Sequence, residues 1–154
     1  MSLLESLVPR AVESAGSWRL FVAGDLGLLT PPARHALERA IEATRDRTHN
    51  LTLAIGYDGR EDIVGAMRTA LVGIAAGDGW PEIEDIRSGL AGGPNKEIDL
   101  VIRTGNEVRI SGFFPWQSAN AEIYTSRKMW PAFGQTDFVR ALRFYARARQ
   151  RRTP

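Results

Sequence analysis

The sequence predicts an α/β fold, a mostly parallel sheet flanked by helices, and three observations carry that prediction. Short apolar runs recur at 18–23, 51–55 and 98–102, with the branched and aromatic content of strands. The run at 51–55 shows little alternation, which suits a strand covered on both faces. Between the runs, apolar residues repeat at helical spacing, so strand and helix alternate as they do when crossover helices join parallel strands. At 154 residues, 44% hydrophobic and 25% charged, the chain is expected to form a single domain, 1–154, with a sizeable core. It contains no internal repeat and no low-complexity segment.

In chain order, Leu3, Leu4, Leu7, Val8 and Val12 predict a first helix that fades at Ala15 and Gly16, with Pro9 imposing a kink or a break. Trp18 to Ala23 predicts a strand, stopped by Gly24 and Asp25. Thr30 is placed to cap the next helix and Pro31 to take its first position, where a missing N–H costs nothing. Ala33, Ala36, Leu37, Ala40, Ile41 and Thr44 make its inner face; Arg34, Glu38, Arg39, Glu42 and Arg45 make the outer one. After a turn at His49 and Asn50, Leu51 to Ile55 predicts a second strand. Gly56 and Gly59 then permit a tight turn into a helix from about Glu61 to Ala76, with Ile63, Met67, Ala70, Leu71 and Ile74 as its buried face. Gly73, Gly77 and Gly79 weaken its end, and Trp80-Pro81 opens a linker. A short helix over Glu82 to Leu90 and a loop from Ala91 to Asn95 lead to a strand at Ile98. Trp116 to Ala121 predicts a helical turn or two, Ile123 to Ser126 a last short strand, and Met129 to Phe133 an aromatic connector. Thr136 is placed to cap a terminal helix with Phe138, Leu142 and Tyr145 on one side.

Zero cysteines exclude a disulfide framework, a thiolate nucleophile and cysteine metal ligands, and they suit a cytoplasmic setting. No apolar run approaches a membrane span and the N-terminus lacks a basic-then-hydrophobic pattern, so neither anchor nor signal peptide is expected. The net charge is only +2, yet Arg140, Arg143, Arg147, Arg149, Arg151 and Arg152 crowd the C-terminus. Such a run complements the carboxyl end of a helix dipole and can rest on anionic lipid, so peripheral membrane contact is the most it predicts. No aromatic-interleaved basic platform accompanies it, which argues against nucleic acid. His35, on a helix, and His49, in a turn, do not suggest a catalytic or metal pair.

The most informative stretch runs from Asp99 to Glu122. In an open α/β sheet, ligands gather beyond the carboxyl ends of the strands. Here such an end is followed by Arg103, Glu107, Arg109 and Ser111 in quick succession. The planar fork of arginine suits bidentate contact with phosphate, and the serine can add a neutral hydrogen bond. Glu122, further on, can hold a divalent metal against the same phosphate. Two readings stay open: an anion site, or a solvated loop whose arginines pair with Glu107 and Glu122.

Asp99-Leu-Val-Ile-Arg-Thr-Gly, Glu107, Arg109-Ile-Ser111, Phe113, Trp116-Gln117, Ala121-Glu122 and Tyr124 together resemble the C-terminal signature of the cis-prenyltransferases, the undecaprenyl diphosphate synthase family. Trp130-Pro131-Ala-Phe133, Leu53 to Val64 and Val22-Ala-Gly24-Asp25 resemble further family segments in the same order, so the likeness runs from about Leu3 to Arg152. The resemblance implies an undecaprenyl diphosphate synthase-like fold in truncated form. It implies that Arg103, Arg109 and Ser111 grip the diphosphate of isopentenyl diphosphate, with Glu107 in support, and that Glu122 helps hold magnesium. Gly59 and Arg60 match a turn that is structural or lies near the subunit seam.

The departures are equally informative. Family members carry an Asp-Gly-Asn-Gly-Arg-Trp motif for the allylic diphosphate and a Ser-x-Glu-Asn-Trp segment, and neither occurs in this sequence. Asn106, Gly112, Asn120 and the ending Arg152-Thr153-Pro154 also differ from the family's usual residues. The resemblance therefore implies a prenyltransferase, or a subunit of one, that condenses isopentenyl diphosphate with an allylic prenyl diphosphate. It would work as a homodimer or a heterodimer with a chain carrying the Asp-Gly-Asn-Gly-Arg motif, which would also cover the exposed sheet edge. The alternatives are a non-catalytic partner that stabilises an active subunit, and a phosphate-binding or inert relic.

Overall fold

A computed structural model describes residues 16–76, 80–94 and 97–152, which fall into two compact units, Met1–Asn95 and Lys96–Pro154. The expected first helix, the side chain of Ile74, the glycines at 77 and 79, and residues 153–154 lie outside the described residues.

In the first unit β1 (Trp18–Gly24) pairs in parallel with β2 (His49–Ile55), Trp18 opposite His49 and Gly24 opposite Ile55. β2 starts two residues before the predicted Leu51 because His49 N donates to Ser17 O at 2.9 Å and its ring meets Trp18 at 5.3 Å between centroids. A turn of 3-10 helix over Leu26–Leu28 leads into α1 (Pro31–Ala43), where Pro31 takes the first position as expected. Thr30 is the N-cap residue but makes no side-chain capping bond. The predicted inner face is the observed one: Leu37 and Ala40 pack with Leu20 of β1, and Val22, Leu53 and Ile55 close around them. Thr44, just beyond α1, is buried with them. Its hydroxyl accepts from Leu20 N at 2.9 Å and donates to Ala40 O at 2.9 Å, so a buried amide of β1 finds its partner in a side chain.

α2 (Gly59–Ala76) begins two residues earlier than expected, because Asp58 accepts from Arg60 N at 2.8 Å and so organises the first turn. Its packing face also differs from the expected stripe. Met67 and Leu71 are 46% and 48% exposed, whereas Ala66 is buried. The reason is a close approach to α3 (Ile83–Gly89): a Cβ on Gly89 would lie 3.1 Å from Ala66 Cα, so small residues face each other. Each helical residue is turned by about 100° from the one before it, which carries Met67 out of that contact. α3 is itself capped, with Glu82 N donating to Asp85 Oδ2 at 2.7 Å.

In the second unit β3 (Leu100–Arg103) pairs in parallel with β4 (Glu122–Thr125), Leu100 opposite Glu122 and Arg103 opposite Thr125. β3 starts two residues after the predicted Ile98, whose N–H is turned to Gln117 O at 2.8 Å. The segment before β4 makes successive turns, with Ser118 N on Phe114 O at 2.9 Å and Ala121 N on Ser118 O at 3.0 Å. A 3-10 turn at Trp130–Ala132 precedes α4 (Gln135–Arg152). Thr136 lies inside that helix, and the cap comes instead from Asp137, whose Oδ2 accepts from Gly134 N at 3.1 Å. Phe144 meets Tyr124 of β4, while Phe138 and Leu142 remain at the surface. The parallel sheet is thus realised as two parallel pairs, one in each unit.

Candidate functional site

β3 ends at Arg103, and the loop that follows is held in an unusual backbone conformation. Among the described residues, the three non-glycine positions with positive φ all fall in it: Asn106 (61°), Ser111 (52°) and Phe114 (44°). L-residues adopt that region at a cost, and they persist there when the surroundings over-determine the chain. Two bonds do so at the tip, where Gly105 N donates to Lys128 O and Asn106 N to Ser126 O, each at 2.9 Å.

This loop brings four of the predicted residues together. Arg103 Nη2 donates to Ser111 Oγ at 3.3 Å, and Glu107 Oε2 stands 3.9 Å from Nη2 of both Arg103 and Arg109. Arg103 is the most enclosed of them, at 24% side-chain exposure, and its Nε is buried without a hydrogen-bond partner. Arg109 is 82% exposed. A buried guanidinium N–H without a partner is costly, and an anion is one kind of acceptor that would relieve it. The open alternative of a loop whose arginines pair with acids is realised for Glu107, though at the outer limit of an ion pair.

Glu122 is elsewhere. It opens β4 opposite Leu100, three residues back from the Arg103 end, which is roughly 10 Å along a parallel pair. There it lines a cleft of about 310 Å³ with Asp99, Asn120, Tyr145, Arg149 and Arg152, and its Oε1 is ion-paired to Arg152 Nη2 at 2.9 Å. Magnesium takes one or two carboxylates plus phosphate oxygens. Glu122 fits as one such ligand once Arg152 is displaced, while no group of three His, Asp or Glu stands together among the described residues.

Gly59 and Arg60 belong to the first unit. Gly59 is buried at the start of α2, and Arg60 is exposed. Their turn borders a second cleft, of about 300 Å³, at the carboxyl ends of β1 and β2. Only glycine fits at position 24 on its rim, because a Cβ there would meet Ile55 O. This cleft is acidic, and its three aspartates accept hydrogen bonds from nearby groups while Glu61 lines it as well. Asp25 accepts from Gly27 N, Asp58 from Arg60 N, and Asp62 from both Tyr57 Oη and Ala91 N at 2.8 Å. Burial, followed by the bond to Asp62, pushes the Tyr57 phenol well above its ordinary range.

The sequence reading missed Lys128 and Asp137. Lys128 Nζ donates to Asp137 Oδ2 at 2.7 Å, and Arg140 Nη1 approaches Asp137 Oδ1 at 3.4 Å. The Lys128 bond, with the Gly134 amide, holds the Asp137 carboxyl below its usual range. An acid two residues into a helix, three after a glycine, is the signal that was present.

No helix among the described residues is long and apolar enough to cross a membrane. Residues 1–153 match the family model described as "Putative undecaprenyl diphosphate synthase". The chain is 43% identical to an isoprenyl transferase of Streptomyces fradiae, over 88% of this chain and 56% of the relative. It is 36% identical to a short-chain Z-isoprenyl diphosphate synthase of Mycobacterium bovis, over 99% of this chain and 61% of the relative. It therefore spans about three fifths of the length of such curated relatives. Among solved structures it superposes on lavandulyl diphosphate synthase from Lavandula x intermedia, in complex with dimethylallyl diphosphate, with a TM-score of 0.82 and 31% identity, covering 92% of this chain and 63% of that one. A probable undecaprenyl diphosphate synthase from Campylobacter jejuni gives 0.76 and 29%, covering 94% and 68%. The chain belongs to the undecaprenyl diphosphate synthase family of prenyltransferases.

Proposed function

We propose that the arginine loop is the isopentenyl diphosphate subsite of a cis-prenyltransferase. Arg103 and Arg109 neutralise the diphosphate, and Ser111 orients it through the hydroxyl that Arg103 already holds. The observation that carries this reading is the partnerless, buried Nε of Arg103 beside Ser111 and Glu107, a donor without an acceptor in a loop of forced geometry. Glu107, near both guanidinium groups, keeps them from repelling one another before the substrate arrives.

Magnesium, when bound, would stabilise the diphosphate charge that develops as the allylic bond ionises. Glu122 is the residue proposed to contribute one oxygen to it. The allylic prenyl diphosphate would be held by the Asp-Gly-Asn-Gly-Arg motif on another chain segment, in a homodimer or heterodimer. The binding of dimethylallyl diphosphate by the lavandulyl relative supports an allylic co-substrate.

The test is a transfer assay with magnesium, labelled isopentenyl diphosphate and allylic diphosphates of increasing length, run on the chain with and without a chain carrying that motif. Transfer that needs both, and that Arg109→Ala abolishes, is the expected result. Unaltered transfer in Arg109→Ala would assign the chain the role of a non-catalytic partner. Absence of isopentenyl diphosphate binding by the chain would remove the subsite.

A further inference from the structure

We infer that Lys128 and Asp137 are positioning residues that set the aim of the arginine loop. Their effect on ligand affinity rests on the diphosphate subsite proposed above; the backbone coupling itself does not.

The left-handed pair Gly105–Asn106, at φ 80° and 61°, turns the chain between Arg103 and Arg109. Both of its N–H groups are held by carbonyls of the segment after β4, Lys128 O and Ser126 O, and Ser126 N returns a 2.7 Å bond to Arg103 O. The loop tip is therefore only as fixed as residues 126–128. Those residues form neither helix nor strand. Inside the segment, Lys128 N donates to Ser126 Oγ at 3.2 Å, which shapes the turn without anchoring it.

One end of the segment is tied to β3 by the Ser126 N bond to Arg103 O, and the other is anchored by the Lys128 side chain. Its ammonium meets a carboxylate in the first turn of α4 at 2.7 Å. Asp137 is 5% exposed, and it is already oriented by Gly134 N on Oδ2 and Arg140 on Oδ1. Most surface lysine pairs contribute little, because two mobile side chains must be ordered to make them. Here one partner is buried and pre-oriented, so only the lysine is ordered, and the bond transmits the position of α4 to the loop. The path runs from α4 through Asp137, Lys128 and the two tip amides to the turn between the arginines.

Hydrogen exchange on the full chain tests this directly. In Lys128→Met, which leaves the Asp137 cap of α4 intact, the Gly105 and Asn106 amides should exchange about tenfold faster. The amides of Ile98 and Glu122, bonded to Gln117 O and Asp99 O in the same unit, should not change. Asp137→Asn should give the same pattern, the double variant should do no more than either single one, and Lys128→Arg should restore protection. If Asp137 served only to cap α4, its loss would speed exchange near Gly134 and leave the loop tip protected. Unchanged Gly105 and Asn106 exchange in folded Lys128→Met would overturn the proposal. Isopentenyl diphosphate affinity should fall about fivefold in Lys128→Met. If Arg103→Ala leaves that affinity untouched, the subsite reading fails, and the exchange result still decides the coupling.

Discussion

The two parallel strand pairs have the same local topology and opposite chemistry at their carboxyl ends. At the end of β1 and β2, Asp25, Asp58 and Asp62 each accept from a nearby amide, and Tyr57 completes the set on Asp62. Asp25 and Asp58 are spent on shaping a turn and a helix start, and Asp62 on tying α2 to Ala91 beyond α3. At the end of β3, two arginines and a serine share distant contacts, and a buried Nε is left with no acceptor. Position beyond a strand end therefore does not make a site. What separates the two ends is whether the polar groups are already satisfied.

Five substitutions break or sharpen that contrast. Arg103→Ala should weaken isopentenyl diphosphate binding about ten- to a hundredfold, matching the 1.5–3 kcal/mol or so of a hydrogen bond to a charged group. Asp58→Asn, at the other strand end, should leave the affinity unchanged in the same calorimetric titration. Equal losses in both would dissolve the contrast. Next in size, Thr44→Val strands the buried Leu20 N–H and should cost about 1–3 kcal/mol, read as a lower urea midpoint. A neutral result would mean that the first unit is held by apolar packing alone.

Tyr57→Phe should cost about 1 kcal/mol near neutral pH through the lost bond to Asp62. The phenol has a raised folded-state pKa, so its contribution is complete below the ordinary value of 10.0 and disappears as pH rises through the higher folded value. Alkaline melts of the unaltered chain should therefore lose stability in that window, and those of Tyr57→Phe should lose less. The smallest effect belongs to Arg152→Ala. Its partner Glu122 is mostly enclosed but Arg152 is 65% exposed, so about 0–1 kcal/mol is expected in a thermal melt. A larger loss would make the Glu122–Arg152 pair a structural element of the cleft at the start of β4.

The site was legible in the sequence to the extent that its residues are neighbours along the chain. Arg103, Glu107, Arg109 and Ser111 lie within nine positions, and any loop that turns sharply at Gly105 and Asn106 brings them close. Glu122 was grouped with them as a carboxylate a little further along the chain, yet the β3–β4 register sets it at the other end of the pair. The α1 face was read correctly because one apolar stripe meets one sheet. The α2 face was not, because its neighbour approaches through Gly89 and selects the small side of the helix over the larger Met67 and Leu71.

By itself, then, the sequence determined the alternation of strand and helix, the first helical position of Pro31, the core around Leu37 and the residue types of the arginine loop. These follow from periodicity, fixed dihedrals and side-chain chemistry, which act within a few residues. Tertiary structure alone decided the strand registers, the pairing of Glu122 with Arg152, the outward turn of Met67 and the hold of Asp137 on Lys128. Each of these depends on which groups meet across the fold, and a carboxylate or an amide has several partners of nearly equal worth until packing leaves it one.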